Sequence, residues 1–258
     1  MDNEAVFFLE GAVTRASAGR KRNQRAAHAA PRSLPADPQA IRNSLGERVY
    51  RALKRDIISC NFLPGAALSE KALARRYKGS RTPVREAAVR LQQERLLRIV
   101  PNRGYFVSPI TLRELNEVYE YRCAVECAAA ELAARKGADP ELLEELTVLA
   151  RTPFRSQDRK SCMAFIQADT AFHVGIARLS RNQMLERAVS EARCQMERIM
   201  YAAIDIDYYG EFPLREHMQI LDAIRGYNSQ LARECMFDHI IQSKDKVLRL
   251  ASSNPRQL

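Results

Sequence analysis

Four side chains in the second half of the chain have the types and spacing that a divalent metal ion requires. Asp169 and His173 are four residues apart, so both project from one helix face, as paired metal ligands do. His217 and His239 each lie eleven residues from Asn228, in a Gly-Tyr-Asn stretch that breaks the helical pattern. Equidistant positions of an antiparallel helical hairpin lie side by side, so one carboxylate and three imidazoles can converge inside a bundle. A lone histidine would more often be an ordinary core or surface residue, and the combination is what indicates a site.

This ligand set defines the chemistry that the site could perform. One oxygen and three nitrogens suit Zn²⁺, Ni²⁺, Mn²⁺ or Fe²⁺, and the affinity order does not choose among them. We predict one divalent ion per chain, with Zn²⁺ as the default, and one or two positions left open for water or an anion. An open Zn²⁺ site in an enzyme activates water, but the nearby carboxylates Glu216, Asp222 and Asp238 form no clear second catalytic group. We predict that the chain is not an enzyme, with a metal-dependent hydrolase and a purely structural metal as alternatives.

An anion at the open position would need a positive partner from the protein. Arg122 lies among apolar residues in "YEYRCAVECAAAELAA" and can pair bidentately with the carboxylate of an organic acid. A salt bridge to Glu126, four residues on, is an equally good interpretation. Asn182, in "RLSRNQML", is a weaker candidate for an effector contact and can equally be a helix cap.

The elements that position these residues are helices. After residue 110 the pattern is helical throughout, interrupted at 136–140, at 151–154, between Gly210 and Pro213, and at 226–228. We predict a mainly α protein whose C-terminal part is a bundle of about six helices. The expected domains are a disordered basic arm (1–40), a winged helix-turn-helix (41–109), a ligand- and metal-binding, dimerising bundle (110–252) and a tail (253–258).

Charge separates the two folded parts. Lys and Arg number 15 against 5 Asp and Glu in residues 41–109, but 20 against 22 in residues 110–258. Such a basic segment is typical of a nucleic-acid binder, although a solvated basic surface is the simpler alternative. The chain has no apolar run of 18 residues, and "VFFLE" is too short for a signal peptide, so we expect a cytoplasmic protein. Its six cysteines, without a Cys-X-X-Cys pair, are expected to be free thiols.

The order of elements in the basic segment decides between these interpretations. A helix from Leu45 is followed by a Pro64-Gly65 turn and a second helix capped by Ser69. The stretch "SRTPVREAAVR" starts a third helix, with Ser80 or Thr82 as N-cap, and "LLRIVPNRGYFVSPI" then forms a hairpin. This is the order of a winged helix-turn-helix, whose third helix enters the major groove by its N-terminal end. Arginines oppose the helix dipole there, but they suit a DNA phosphate backbone.

The first of these segments resembles a known family. "GAALSEKALARRYKGSRTPVREAAVRLQQERLLRIVPNRGYFV" is similar to the DNA-binding domain of GntR-family bacterial transcription regulators, and the resemblance covers residues 45–109. It departs from the family at Tyr77-Lys78-Gly79, where a small apolar residue is usual before Ser-Arg. The resemblance implies guanine readout by Arg81 or Arg85, and DNA contacts by Lys71, Ser80, Arg81, Thr82, Arg85, Arg103 and Gly104.

The second half, over residues 111–250, resembles the FCD effector domain of the FadR-type branch of that family. The resemblance implies that Asp169, His173, His217 and His239 bind a divalent metal at the centre of a six-helix bundle. We therefore predict a DNA-binding transcription regulator whose operator affinity is controlled by a small carboxylate effector bound at the metal. A homodimer on a palindromic operator is expected, because one winged helix reads one half-site.

Overall fold

The computed structural model of the chain describes residues 45–155, 158–203 and 213–253. The predicted arm, residues 1–40, and residues 254–258 of the predicted tail lie outside these ranges. Three helices and a small sheet come first, and six more helices follow among the described residues. In chain order the elements are α1 (Leu45–Ile58), β1 (Ala67–Leu68), α2 (Glu70–Arg76), α3 (Arg81–Gln93), β2 (Leu97–Val100), β3 (Gly104–Val107), α4 (Leu112–Lys136), α5 (Pro140–Ala150), α6 (Arg159–Leu179), α7 (Gln183–Ala203), α8 (Leu214–Arg225) and α9 (Ser229–Ser253).

The first three helices share one small core because each presents an apolar stripe to it. Val49, Leu53 and Ile57 recur every four residues on α1 and are buried. The Ser69 side chain caps α2 by accepting a hydrogen bond from the Ala72 amide. Ser80 occupies the N-cap position of α3, although its side chain makes no capping bond. The predicted order of three helices is confirmed.

A three-stranded antiparallel sheet forms the wing. Strands β2 and β3 are the predicted hairpin, with Leu97 opposite Val107 and Val100 opposite Gly104. Strand β1 adds to the other edge of β3, so that the strand order is β1-β3-β2. The sequence did not predict β1, because two residues are too few to show an alternating pattern.

The six later helices form the predicted all-α bundle, and α4 lies at its centre against α6, α7, α8 and α9. A reciprocal capping box between Thr111 and Glu114 starts α4, and Gly137 ends it with a left-handed φ of 76°. The predicted interruptions at 151–154 and 226–228 fall between helices, and that at 136–140 runs from the last residue of α4 to the first of α5. Gly210 lies outside the described residues.

Helix α7 also contacts the winged helix domain. The Gln195 side chain donates to the Glu94 carbonyl at 2.8 Å, just after α3. Arg198 Nη2 donates to the Pro109 carbonyl at 2.9 Å, where the chain passes from β3 to α4. The bundle thus holds the DNA-binding part at both ends of its wing.

No described helix has the length and apolar character needed to cross a bilayer. The six cysteines form no disulfide among the described residues. Burial raises the pKa of Cys127 to about 12, which keeps this thiol protonated at neutral pH.

Candidate metal centre and nucleic-acid interface

The four predicted metal ligands meet in the bundle core. Asp169 and His173 come from α6, His217 from α8 and His239 from α9, and all four are buried. One possible ligand atom from each lies within 4.8 Å of the others. Buried acidic and imidazole groups in such proximity are typical of a site built for a cation.

Carboxylates behind two of the rings determine which ring nitrogens face the centre. Glu126 Oε2 lies 2.6 Å from His173 Nδ1, and Glu216 Oε2 lies 2.7 Å from His239 Nδ1. A carboxylate beside Nδ1 favours the tautomer that carries its proton there, leaving Nε2 with a free lone pair. With both rings in that tautomer, the Nε2 lone pairs of His173 and His239 face each other, because these two atoms are 3.2 Å apart.

This arrangement fits a bound divalent ion. Two nitrogens at about 2.0–2.1 Å from one Zn²⁺ would be roughly 3.0–3.4 Å apart, which matches the separation of His173 and His239. His217 Nε2 is buried without a hydrogen-bond partner among the described residues and lies 3.4 Å from Asp169 Oδ1. An ion between these atoms would satisfy the orphaned nitrogen and remove the lone-pair repulsion.

Burial and neighbouring charges keep Asp169, His173 and His217 in the protonation states that metal binding requires. Burial lowers the pKa of His173 to about 4, so this imidazole is neutral at pH 7. Burial, together with the positive potential of neighbouring side chains, also lowers the pKa of His217 well below its usual value. Burial alone would raise the pKa of Asp169, but the Arg193 guanidinium and the three histidines outweigh it and lower that pKa.

Sequence reasoning did not assign Arg193, Glu126 and Glu216 to this centre. Arg193 is fully buried on α7 and forms an ion pair with Asp169. Its sequence signal was its place on an apolar helix face, four residues after Val189 and three before Met196. The sequence indicates Glu126 only as a salt-bridge partner of Arg122, and Glu216 only as a possible catalytic group.

Arg122 lies next to this centre, near the middle of α4. Its side chain is fully buried, and its Nε donates to Glu126 Oε1 at 2.6 Å. The salt bridge that the sequence left as an alternative is therefore present. Arg122 Nη1 is buried without a hydrogen-bond partner among the described residues. Glu126 connects Arg122 to His173, and so to the predicted metal.

Asn182 has a capping role in the structure. Its Oδ1 accepts hydrogen bonds from the Met184 and Leu185 amides at 3.0 and 3.3 Å, at the start of α7. This is the second of the two interpretations that the sequence allowed, and an effector contact by Asn182 stays a prediction.

Most of the residues predicted to meet DNA are exposed. Lys71 lies in the first turn of α2, Arg81, Thr82 and Arg85 lie in the first two turns of α3, and Arg103 lies at the tip of the wing. Glu70 joins these elements, because its carboxylate is 2.8 Å from Arg85 Nε and accepts a hydrogen bond from the hydroxyl of Tyr105 in β3 at 3.1 Å. The first turns of α2 and α3 therefore meet the wing at one surface. The exposed residues predicted to meet DNA are Lys71, Ser80, Arg81, Thr82, Arg85 and Arg103.

Gly104 has a structural reason to be glycine. Its φ is +98°, and a Cβ placed there would lie 3.1 Å from the Leu68 carbonyl oxygen. The glycine thus allows the wing hairpin to pack against β1.

The unusual Tyr77-Lys78-Gly79 turn is integrated into the domain. The Tyr77 hydroxyl donates to Asp56 Oδ2 at 2.8 Å, Arg76 Nε donates to the same oxygen at 3.0 Å, and Asn61 donates to Oδ1 at 3.2 Å. Lys78 takes the left-handed φ of 51° that reverses the chain. The buried Asp56 therefore ties the turn between α2 and α3 to α1.

Comparison with known proteins agrees with both halves of the fold. Residues 45–107 match the family described as bacterial regulatory proteins, gntR family, and residues 117–242 match the FCD domain. The HTH-type transcriptional repressor RspR of Escherichia coli is 28% identical over 212 residues, or 81% of this chain and 92% of RspR. An uncharacterized HTH-type transcriptional regulator in an unstable DNA locus of Streptomyces ambofaciens is 31% identical over 209 residues, or 80% of this chain and 86% of that protein.

A solved GntR transcriptional regulator from Rhodococcus sp. RHA1 shares the fold. It superposes with a TM-score of 0.67 at 25% identity and covers 79% of this chain and 97% of its own. These relatives are transcription regulators, so the expectation that the chain is not an enzyme is confirmed. The winged helix domain, the helical bundle and these relatives together show that the chain belongs to the GntR family of DNA-binding transcription regulators, in the FadR-type branch that carries an FCD domain.

Proposed function

We propose that this regulator binds a palindromic operator as a homodimer and that a small carboxylate effector, bound at a divalent metal in the bundle, controls its operator affinity. The observation that carries the proposal is the buried convergence of Asp169, His173, His217 and His239, with one orphaned nitrogen and two Nε2 atoms 3.2 Å apart. A bacterial regulator meets its DNA in the cytoplasm, so we expect this protein to act there.

The N-terminal end of α3 and the wing supply the DNA contacts in this proposal. Arg81 and Arg85 are the candidates for guanine O6 and N7, a contact that discriminates by about 1–3 kcal/mol against other bases. Lys71, Ser80, Thr82 and the wing residues at 103 and 104 contact the backbone or the groove edge. Their exposure, and the shared link through Glu70, support a single DNA-facing surface.

The proposed metal is one divalent ion per chain, with Zn²⁺ as the default and Ni²⁺, Mn²⁺ or Fe²⁺ as alternatives. Asp169 contributes a carboxylate oxygen and the three histidines contribute ring nitrogens. The ion would supply a Lewis-acid anchor for an anionic ligand at an open coordination position. Glu126 and Glu216 lie beside Nδ1 of two of the rings, which favours the tautomer that presents Nε2 to the ion.

Arg122 is the proposed partner for the effector carboxylate. Its Nη1 is buried with no hydrogen-bond partner among the described residues, and an unpaired guanidinium N–H in a dry core strongly favours an anion. The contact between Glu126 and His173 places this guanidinium one side chain away from the metal ligands. Asn182 stays a weaker candidate.

Helix α7 is the proposed route from this site to the DNA-binding domain. One of its faces carries Arg193, which is paired with the ligand Asp169. Another carries Gln195 and Arg198, which hold the backbone at Glu94 and Pro109 on either side of the wing. A ligand that alters the pairing of Arg193 would bias the position of α7, and the shift in operator affinity can be no larger than the effector's differential affinity for the two states.

The test measures operator affinity against a panel of organic acids. Operator duplexes are selected from random DNA with metal-loaded protein, and binding is followed by fluorescence anisotropy. We expect at least one acid to change the operator Kd of the wild-type protein and to have a much smaller effect on Arg122→Lys, which keeps the charge but loses the planar fork.

The control is the operator Kd of Arg122→Lys without acid, which should equal that of the wild-type protein. If no acid in a broad panel changes the affinity while the metal is bound, the metal is purely structural and the effector proposal is wrong. If Arg81→Ala and Arg85→Ala both keep full operator affinity, the assignment of the reading helix is wrong.

A further inference from the structure

One carboxylate joins three elements of the DNA-binding domain. Glu70 is the first residue of α2, and its Oε2 accepts hydrogen bonds from Arg85 Nε on α3 at 2.8 Å and from the Tyr105 hydroxyl on β3 at 3.1 Å. Its Oε1 lies 3.7 Å from Arg81 Nε. Glu70 is the sole acidic side chain in the first turn of α2, and no acidic residue lies in the first turn of α3. It therefore faces both arginines that we assign to base readout.

These contacts constrain how Arg85 can address a base. A guanidinium has five N–H donors in one plane, and a bidentate contact uses two of them on one edge. Because Glu70 takes the Nε donor, a bidentate contact with guanine O6 and N7 must use the two terminal nitrogens. The Tyr105 hydroxyl donates to the same Glu70 oxygen, Oε2, and so holds the carboxylate against the wing.

The same carboxylate reduces the positive charge at the reading surface. Binding to DNA without regard to sequence is almost entirely electrostatic, whereas specific binding adds base contacts that depend on geometry. The negative charge of Glu70 beside two arginines weakens binding to DNA of any sequence. By orienting Arg85, the same carboxylate supports sequence-specific binding. We propose that Glu70 is a specificity-determining positioning residue, which raises the ratio of operator affinity to non-specific affinity without contacting a base itself.

This inference rests on the proposed role of Arg85 in base readout. Its test compares Kd values for the selected operator and for a scrambled duplex at several salt concentrations. For Glu70→Gln we expect tighter binding to the scrambled duplex, with a salt slope steeper by about 1, because one opposing charge is gone. We also expect weaker operator binding, so that the specificity ratio falls at least about 10-fold, the equivalent of one base contact.

Two further variants separate orientation from charge. Tyr105→Phe removes one hydrogen bond to Glu70 without changing the charge, so the specificity ratio should fall while the salt slope stays the same. Glu47→Gln removes a carboxylate that pairs with Arg51 and Arg90, toward the other end of α3, and is the matched charge control. Its specificity ratio should equal that of the wild-type protein. Thermal melting of each variant shows that the domain is folded under the assay conditions.

Either of two results would overturn the inference. One is a specificity ratio for Glu70→Gln that equals the ratio for Glu47→Gln. The other is a Tyr105→Phe variant, folded by thermal melting, that keeps the wild-type ratio and selects the wild-type operator from random DNA. Arg85→Ala separates the premise from the inference. Full operator affinity in that variant removes Arg85 from base readout, whereas a loss of affinity there with no effect of Glu70→Gln contradicts the role of Glu70 alone.

Discussion

The buried pair of Arg122 and Glu126 allows a prediction that separates stability from metal binding. Both side chains are almost completely buried, 1% exposed each, and Nε lies 2.6 Å from Oε1. Burial alone would raise the pKa of Glu126, but the Arg122 guanidinium and His173 outweigh it and hold that pKa well below its usual range. Glu126 is thus an anion in the core that depends on Arg122 for its compensation.

Replacing Arg122 with alanine leaves that anion uncompensated. Breaking a buried ion pair from one side costs about 3–5 kcal/mol. For a chain of this size, each kcal/mol shifts Tm by about 2–4 °C, so Tm should fall by roughly 6–20 °C. Replacing both partners, in Arg122→Met with Glu126→Gln, removes the unpaired charge and should recover most of that loss.

Denaturant unfolding of the two variants and the wild-type protein measures this difference. The double variant should nevertheless bind metal about 10–100-fold more weakly, because His173 loses the carboxylate that sets its tautomer. If Arg122→Ala unfolds with the same free energy as the wild-type protein, or if the double variant is as unstable as the single one, the buried pair does not have the role described.

Three further predictions concern other parts of the molecule. A divalent metal added to the metal-free protein at a free concentration of 100 times its Kd should stabilise the protein by about 2.7 kcal/mol and raise Tm by roughly 5–11 °C. Mn²⁺ is tested beside Zn²⁺, because the cysteines of the unfolded chain bind Zn²⁺. Burial would raise the pKa of Asp56, but its hydrogen bonds, that from Tyr77 first, lower it. The stabilisation by Asp56 is therefore complete above about pH 4 and is lost as the pH falls through the lowered pKa. Asp56→Ala should lower the free energy of unfolding by about 2 kcal/mol at pH 7. In denaturant unfolding, the free energy of this variant should depend less on acid pH than that of the wild-type protein. Gln195→Ala should leave metal content unchanged and reduce the effect of an active acid on operator Kd; an undiminished effect would contradict the route through α7.

Most of the fold could be predicted from the sequence because its elements are long and clearly bounded. The apolar stripe of α1, the Ser69 cap and the Pro101 turn of the wing are each local signals, and each lies where it was expected. Strand β1 was missed because its pairing with β3 depends on tertiary contacts and not on a pattern of its own. The arginines at the start of α3 stand out in the sequence as candidate DNA contacts because their positive charge opposes the helix dipole there.

The convergence of the four candidate metal ligands could also be predicted, since spacing on one helix and across one hairpin brings them together. Their supporting groups could not. Arg193 is more than twenty residues from Asp169, and nothing in the sequence shows that α7 packs its face onto α6. The link from Glu126 to His173 likewise depends on the crossing of α4 and α6, which local periodicity does not determine.

Elemental analysis of the purified protein, expressed and handled without added ions, tests the central claim most directly. The wild-type protein is compared with His217→Ala and with His28→Ala, which replaces the one histidine that is not in the cluster. We predict about one divalent ion per chain in the wild-type protein and in His28→Ala, and a loss of that ion in His217→Ala. Metal-free wild-type protein that takes up no Zn²⁺, Ni²⁺, Mn²⁺ or Fe²⁺ on incubation, or full metal content in His217→Ala, would contradict the account.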